Sequence, residues 1–190
     1  MLDKGQVTGL LSPLLEKWRM YKVSRHIRGG HILDCGCGSG KFLEYNQDFD
    51  YTGVDINRDV IRYAQKKHAD RKNTRILTIP EFIESDKKYD SIIMIAVLEH
   101  LDHPVDMIQK LKETLKKGGR IVITTPTPQT NRILKMGSKM GLFIKEAFEE
   151  HKSLLERSAF VEIAKETGLH LNTYQRFQCG LNQLVVFSYD

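Results

Sequence analysis

The chain has 190 residues, of which 41% are hydrophobic, so it is long enough for one α/β domain with a full core and too short for two. No apolar run approaches the roughly 20 residues of a membrane span, and the N-terminus lacks the basic-then-apolar layout of a secretory signal, so we expect a cytoplasmic protein. The net charge of +5 suggests acidic partners, but no block of basic and aromatic residues marks a nucleic-acid platform.

The three cysteines, an odd number, do not suggest a disulfide framework. Cys35 and Cys37 form an isolated Cys-x-Cys pair, which supplies too few ligands for a zinc ion. We therefore interpret them as small, partly buried side chains and predict no metal site.

A helix is predicted over residues 12–28, because Ser12 can cap it and Pro13 suits its first turn. The apolar residues at helical spacing, expected on its inner side, are Leu14, Leu15, Trp18, Tyr21 and Val23. Another face carries basic residues, which either hold an anionic group or are simply solvated. These residues are Arg19, Lys22 and Arg25.

The stretch from His31 to Gly40 is a short apolar strand followed by three glycines at alternate positions. These glycines are Gly36, Gly38 and Gly40. Glycine lets the backbone turn with positive φ and leaves no side chain between the main chain and a ligand. A dinucleotide fingerprint would need a further glycine at Lys41 or Leu43, and a phosphate-binding loop would need serine or threonine at Phe42. The loop therefore indicates a nucleoside-bearing cofactor of another kind.

A second short strand, from Tyr51 to Ile56, contains Asp55 near its end. The separation between Asp34 and Asp55 is the one at which a Rossmann-type second strand presents a carboxylate to ribose hydroxyls. A carboxylate can accept hydrogen bonds from both vicinal hydroxyls. Asp55 is therefore predicted to bind a ribose.

The rest of the chain alternates helices and strands through residue 126. The predicted elements are a helix over 57–70, a strand over 74–79, a strand starting at Asp90, a helix over 102–117 capped by Gly118, a strand over 119–126, a helix over 156–167 ended by Gly168, and a closing hairpin of strands 169–177 and 183–188. This order predicts an α/β fold with a doubly wound, mostly parallel sheet.

The sequence also resembles a known family. The motif Asp34-x-Gly36-x-Gly38-x-Gly40, together with residues 89–101 and 115–126, resembles class I S-adenosylmethionine (SAM)-dependent methyltransferases, in particular the subgroup that includes ubiquinone-biosynthesis O-methyltransferases. The resemblance is closest over roughly residues 30–126. It implies a Rossmann-like, seven-stranded sheet with an antiparallel last strand and helices on both faces, with S-adenosyl-L-methionine as cofactor.

The resemblance also implies a cofactor site at the ends of three strands. Its residues are Asp34, Cys35, Gly36, Gly38, Gly40, Asp55, Ile56, Ala96 and Val97. Asp34 is expected to help fix the loop and the amino group of the cofactor. In the family an acidic residue after the third strand contacts the adenine. In this chain Glu81 is the shifted candidate and Phe82 a candidate wall for the adenine, unless backbone contacts replace the side chain.

Glu99 and His100 follow the fourth strand, at the edge where open α/β sheets place their chemistry. They are candidate catalytic residues, or else a helix-start pair satisfied by neighbouring backbone. Some relatives carry Glu-x-x-Glu-His here and bind a divalent metal, whereas this chain has Ala96 at the first glutamate. His151 is the candidate general base, because a neutral imidazole can take the proton of a hydroxyl acceptor.

Residues 129–150 are both apolar and basic, and they follow the fifth strand. We expect a helical lid that binds an apolar or amphipathic acceptor, with a dimer surface or extra core as alternatives. The chain as a whole is expected to be one methyltransferase domain over 1–190, with residues 1–30 forming a cap helix, and to be a monomer or homodimer.

The expected activity is methyl transfer to a small-molecule acceptor, with O-methylation favoured. The acceptor could be a lipid, a sugar or another biosynthetic intermediate. Two other functions remain open: an RNA methyltransferase, suggested by the basic charge, and a SAM-binding or partner subunit without catalysis, suggested by the altered acid after the third strand and by Ala96.

Overall fold

A computed structural model describes residues 12–46, 48–130 and 154–190. The elements in chain order are α1 (Ser12–Ser24), β1 (His31–Cys35), α2 (Lys41–Tyr45), β2 (Asp50–Asp55), α3 (Arg58–Lys67), β3 (Thr74–Thr78), α4 (Ile79–Ile83), β4 (Tyr89–Ile95), a 3₁₀ turn (Leu98–His100), α5 (Pro104–Thr114), β5 (Leu115–Pro126), α6 (Arg157–Thr167), β6 (His170–Phe177) and β7 (Asn182–Ser188). The described ranges leave out residues 1–11, His151 and all of the lid predicted over 129–150 except residues 129 and 130.

The strands form one sheet of seven in the order β3-β2-β1-β4-β5-β7-β6. Strands β1 to β5 pair in parallel, and β7 runs antiparallel to both of its neighbours, β5 and β6. The predicted Rossmann-like sheet with an antiparallel last strand is confirmed. The strand order reverses between β1 and β4, so the loops after these two strands open into the crevice where such sheets bind ligands.

The core lies on both faces of the sheet, as expected when helices cover each face of a parallel sheet. On one face α5 and α6 pack apolar side chains such as Ile108 and Phe160 against β4, β5 and β7. On the other face α1, α2 and α3 contribute Val23, Phe42 and Ile61. Both layers are fully buried at these positions, so the sheet is a rigid support for the loops at its carboxyl edge.

Helix α1 differs from its prediction in length and in the face it buries. It ends at Ser24, and its buried side chains are Met20 and Val23. The residues predicted to face inward but found 40–66% exposed are Leu14, Leu15, Trp18 and Tyr21. The reason is the path of the helix. Its first half is tied to the turn after β6, where Leu15 accepts a hydrogen bond from Gln178, and only its second half crosses the sheet.

The junction of α5 and β5 also corrects the sequence analysis. Gly118 was predicted to cap the helix, but α5 ends at Thr114 and Leu115 already belongs to β5. The buried Leu115 pairs with Tyr89 at the start of β4, and this pairing ends the helix before the glycine. Gly118 instead takes a left-handed conformation within β5 and donates its N–H to Tyr189, at 2.6 Å.

Candidate active site

The loop between β1 and α2 turns back on the end of β2. The backbone amides of Gly36 and Cys37 both donate to the carbonyl of Val54, at 2.8 and 3.0 Å, and Gly40 donates to Cys37 at 2.9 Å. The three glycines all have positive φ, of 80°, 52° and 76° in chain order. L side chains rarely adopt this region, so the alternate glycines are what allow the turn.

The three glycines are required for different reasons. A Cβ at Gly36 would lie 2.4 Å from Val97 Cγ2, and one at Gly40 would lie 2.6 Å from His68 Nε2. A Cβ at Gly38 would meet nothing within 4 Å among the described residues. Gly36 and Gly40 are therefore needed for packing, whereas Gly38 leaves open space above the loop.

His68 is a residue that the sequence analysis missed. It is buried just after α3, and its Nε2 lies 3.0 Å from the carbonyl oxygen of Ser39 in the glycine loop. Burial lowers the pKa of the imidazole. A neutral imidazole with its hydrogen on Nε2 can donate to that carbonyl, so His68 stabilises the glycine loop by a hydrogen bond. A single histidine at the end of a predicted helix carries no sequence signal for this role.

Asp55 lies beside the glycine loop. Its Oδ2 accepts a hydrogen bond from Gly38 N–H at 2.9 Å, and its Oδ1 accepts one from Asn57 N–H, also at 2.9 Å. The carboxylate lines an open cleft of about 270 Å³ at the ends of β2 and β3. The cleft residues are Asp55, Ile56, Arg58, Thr78, Ile79 and Pro80. Ile56 is 89% exposed, so its side chain offers a free apolar surface there.

Glu81 and Phe82, the residues predicted to face the adenine, make contacts within the protein. The Oε2 of Glu81 accepts hydrogen bonds from the N–H and the hydroxyl of Thr78, at 2.7 and 2.8 Å, and so caps α4. These bonds lower the pKa of Glu81. The ring of Phe82 packs against the core beside Tyr89, with centroids 6.3 Å apart. The apolar wall of the cleft is formed instead by Ile79 and Pro80 together with Ile56.

Asp34 lies under the loop in the core. It is 3% exposed, and it accepts a hydrogen bond from the Tyr51 hydroxyl at 2.6 Å. Burial raises the pKa of its carboxyl to about 7. The carboxylate that contacts the glycine loop is Asp55. Cys35 is also shielded from solvent, and burial raises the pKa of its thiol to about 12.

The loop after β4 approaches the glycine loop from the other side of the crevice between β1 and β4, where the strand order reverses. Ala96 takes a left-handed φ of 56° and donates its N–H to Thr124 at 2.8 Å, and Val97 packs on Gly36. Glu99 is 1% exposed, and its Oε2 has no hydrogen-bond partner among the described residues. His100 is exposed at the same turn. The predicted cofactor and catalytic positions of β1, β2 and β4 are thus brought together at one edge.

The arrangement suits a nucleoside-bearing ligand. Asp55 presents carboxylate oxygens for hydroxyl groups, the cleft offers apolar walls for a base, and Gly38 leaves the loop backbone uncovered. In the part of the chain that the structure describes, no group of three or more His, Cys, Asp or Glu side chains could hold a metal ion. No helix within those same ranges is long and apolar enough to cross a membrane.

A family model described as a methyltransferase domain matches residues 9–174. The chain belongs to this methyltransferase family. Among similar proteins, the ubiquinone biosynthesis O-methyltransferase of Vibrio cholerae serotype O1 is 24% identical over 173 residues, which is 81% of this chain and 70% of the relative. An uncharacterized protein of Methanocaldococcus jannaschii is 27% identical over 161 residues, covering 82% of this chain and 72% of the relative.

Solved structures support the fold of the methyltransferase. Magnesium protoporphyrin IX methyltransferase from Synechocystis PCC 6803, solved with bound S-adenosylhomocysteine (SAH), superposes with a TM-score of 0.71 at 18% identity, covering 98% of this chain and 90% of that one. The methyl donor of the family is S-adenosylmethionine. In this methyltransferase the residues present fit such a group, because the cleft beside Asp55 and the open backbone at Gly38 could hold its nucleoside and its amino-acid end.

Proposed function

We propose that this methyltransferase transfers the methyl group of SAM to a hydroxyl oxygen of a small-molecule acceptor. The observation that carries the proposal is the set of curated relatives. Ubiquinone biosynthesis O-methyltransferases from Vibrio cholerae, Rickettsia typhi and Coxiella burnetii match 81%, 74% and 61% of this chain. The basic net charge of +5 is compatible with an acidic or phosphorylated acceptor.

In this proposal the protein mainly binds the cofactor and the acceptor and aligns them for methyl transfer. When SAM is bound, its sulfonium supplies an activated methyl group, so the chain needs to align the acceptor in line with it and exclude water. Asp55, which already accepts from Gly38 N–H, would accept hydrogen bonds from the ribose hydroxyls, and Ile56, Ile79 and Pro80 would form the apolar wall beside the adenine. Glu99 and His100 lie in the 3₁₀ turn that follows β4, and we assign this turn to the acceptor side, with these residues as candidates for the general base that takes the hydroxyl proton. His151 remains the other candidate for that base.

Calorimetric titration tests the cofactor half of the proposal. We expect SAM and SAH to bind with one site per chain and NADH not to bind. Binding of NADH alone would contradict the proposal, because a nicotinamide cofactor would then occupy the cleft.

A product assay tests the acceptor half. SAH formation is measured with hydroxyl acceptors such as catechol and with matched amines such as aniline, and the product is identified by mass spectrometry. We expect methyl ethers. Methylated amine products with unmodified hydroxyls would show that oxygen is not the acceptor atom. Methylation of an RNA transcript, with binding that weakens steeply as salt rises, would favour the RNA alternative.

A further inference from the structure

Two buried polar atoms at the carboxyl edge of the sheet, one on Arg19 and one on Glu99, have no partner among the described residues. The Nε of Arg19 and the Oε2 of Glu99 are both buried, and neither forms a hydrogen bond to any residue that the structure describes. One is an obligate donor and the other, in the ionised carboxylate, an acceptor. Buried polar groups in folded proteins are nearly always paired, so two complementary unpaired atoms near one site call for an explanation.

The two side chains come from opposite ends of the sequence to the same edge of the sheet. Glu99 follows β4 in the 3₁₀ turn, two residues after Val97, which packs on the glycine loop. Arg19 lies in α1, and its terminal nitrogen donates a long hydrogen bond of 3.4 Å to Asn182. Asn182 begins β7 and pairs with Pro126 at the carboxyl end of β5. Both side chains therefore lie at the carboxyl edge of the sheet, Glu99 after β4 and Arg19 beside the end of the neighbouring β5.

Electrostatics links the two groups without a direct contact. Burial lowers the pKa of Arg19, and attraction to Glu99 and then to Glu16 opposes that change. Arg19 and Glu99 nevertheless form no direct ion pair. Glu16 is already engaged, because it accepts from Tyr45 at 3.0 Å and lies 3.5 Å from Lys41. Glu99 is therefore the carboxylate left to share a ligand with Arg19.

We propose that Arg19 and Glu99 together bind a hydroxyl group of the acceptor, an inference that rests on the function proposed above. A hydroxyl is both donor and acceptor: its oxygen accepts from Arg19 Nε–H while its hydrogen is donated to Glu99 Oε2. A methyl ether lacks the hydrogen that Glu99 would accept. A carboxylate on the acceptor would be repelled by the negative charge of Glu99. The pair thus selects acceptors that carry a free hydroxyl at this point.

The test observes Arg19 directly in the full chain saturated with SAH. The Nε–H resonance of Arg19 is assigned by its loss in Arg19→Lys, and catechol is titrated against 1,2-dimethoxybenzene, which lacks the hydroxyl hydrogens. We expect catechol, and not the diether, to shift this resonance. We also expect Arg19→Lys and Glu99→Gln to weaken catechol binding at least tenfold and to leave SAH affinity within twofold. The exposed control variants Arg25→Lys and Glu113→Gln should bind catechol as the wild type does.

The possible failures separate this inference from the proposed function. The hydroxyl-binding inference is wrong if catechol is methylated but the Arg19 resonance does not move. It is also wrong if the wild type does not bind catechol. The calorimetric titration with SAM tests cofactor binding independently of both outcomes. If SAM itself does not bind, the proposed function fails. Loss of SAH affinity in Arg19→Lys would place Arg19 in the cofactor site and overturn the inference.

A stability measurement excludes a purely structural role. The double variant Arg19→Met with Glu99→Met removes both unpaired atoms and keeps side chains of similar length. We expect its urea unfolding midpoint to equal or exceed that of the wild type, because the pair lacks its ligand in the free protein. A clearly lower midpoint would show that the pair stabilises the fold, and would overturn the inference.

Discussion

Two aspartates at the ends of neighbouring strands have opposite environments. The carboxyl of Asp34 is buried in the core and accepts a hydrogen bond from the Tyr51 hydroxyl. The carboxylate of Asp55 lines the cleft and accepts hydrogen bonds from the backbone amides of Gly38 and Asn57. Both residues were predicted from sequence as cofactor residues. Their spacing identified the two strand ends, but only the packing separates a buried carboxyl from one available to a ligand.

The first prediction concerns Asp34 and pH. Burial raises the pKa of its carboxyl from 3.8 to about 7, so the folded state binds the proton more tightly than the unfolded chain. The stability that this group contributes is present at low pH and is lost as pH rises towards 7. We expect this to cost the wild type about 2–3 kcal/mol of unfolding free energy between pH 5 and 8.

In Asp34→Asn this part of the pH dependence should disappear, since the amide does not titrate. Urea unfolding at several pH values measures it, with Asp70→Asn as an exposed control that should follow the wild type. An Asp34→Asn profile parallel to the wild type would contradict the assignment.

The second prediction concerns Asp55. Asp55→Asn keeps an oxygen acceptor for Gly38 N–H but removes the charge that strengthens hydrogen bonds to ribose hydroxyls. Hydrogen bonds to charged groups contribute about 1.5–3 kcal/mol, so we expect SAM affinity to fall about 10- to 100-fold. Calorimetric titration measures this, and Asp70→Asn again serves as the matched control. Affinity within twofold of the wild type would show that Asp55 does not contact the cofactor.

At the scale of elements, the site is two loops held by neighbouring structure. The loop after β1 is fixed by Val54, by Asp55 and by His68, and the loop after β4 closes on it through Val97. The alternate glycines were visible in the sequence as a pattern. The reason why each position needs glycine was not visible, because Val97 and His68 are distant in the chain and only folding places them beside Gly36 and Gly40.

The third prediction compares two glycines of the same loop. In both Gly38→Ala and Gly40→Ala the left-handed φ costs about 1–2 kcal/mol. Gly40→Ala adds a clash with His68 worth about 1–3 kcal/mol, whereas Gly38→Ala adds a methyl group in open space. We expect Gly38→Ala to lose only about 1–2 kcal/mol of stability, the cost of its backbone conformation. We also expect it to lose at least tenfold in SAM affinity, since the methyl group would cover the backbone that the ligand approaches.

Urea unfolding and calorimetric titration on both variants separate the two effects. The variant Gly40→Ala should be the less stable of the two. Normal SAM binding by a folded Gly38→Ala would show that the cofactor does not approach the loop at this point.

At the scale of the molecule, the first helix and the last hairpin are joined. Leu15 accepts from Gln178, Arg19 donates to Asn182, and Trp18 meets the edge of Phe177 with ring centroids 6.2 Å apart. These contacts bring α1 over the carboxyl edge and place Arg19 near Glu99. The acceptor side that we propose therefore depends on both ends of the described chain.

The fourth prediction follows from this closure. Trp18 is the sole tryptophan of the sequence, so its fluorescence reports the contact of α1 with β6, while circular dichroism reports the whole sheet. We expect the two probes to give one coincident urea transition. Phe187→Ala empties a fully buried position of β7 and should lower the unfolding free energy by about 3–5 kcal/mol in both probes.

The exposed Val161→Ala is the control and should change stability by less than about 0.5 kcal/mol. Separate transitions for the two probes would show that α1 detaches before the sheet unfolds, and would contradict a single cooperative domain.

The sequence by itself determined the order of the strands, most of the helices and the glycine loop, because these depend on local periodicity and on residue types that the backbone requires. It also marked Asp55 as a candidate cofactor residue, and it allowed the sheet topology to be expected through family resemblance. It did not predict α4, the short helix that Thr78 and Glu81 cap after β3. It could not place the end of α5, which β pairing of Leu115 decides, or the exposed face of α1, which the hairpin at Gln178 decides. The contacts of His68 and Arg19 and the cleft wall formed by Ile79 and Pro80 came only from the tertiary structure, since they join residues far apart in the chain, which no local pattern encodes.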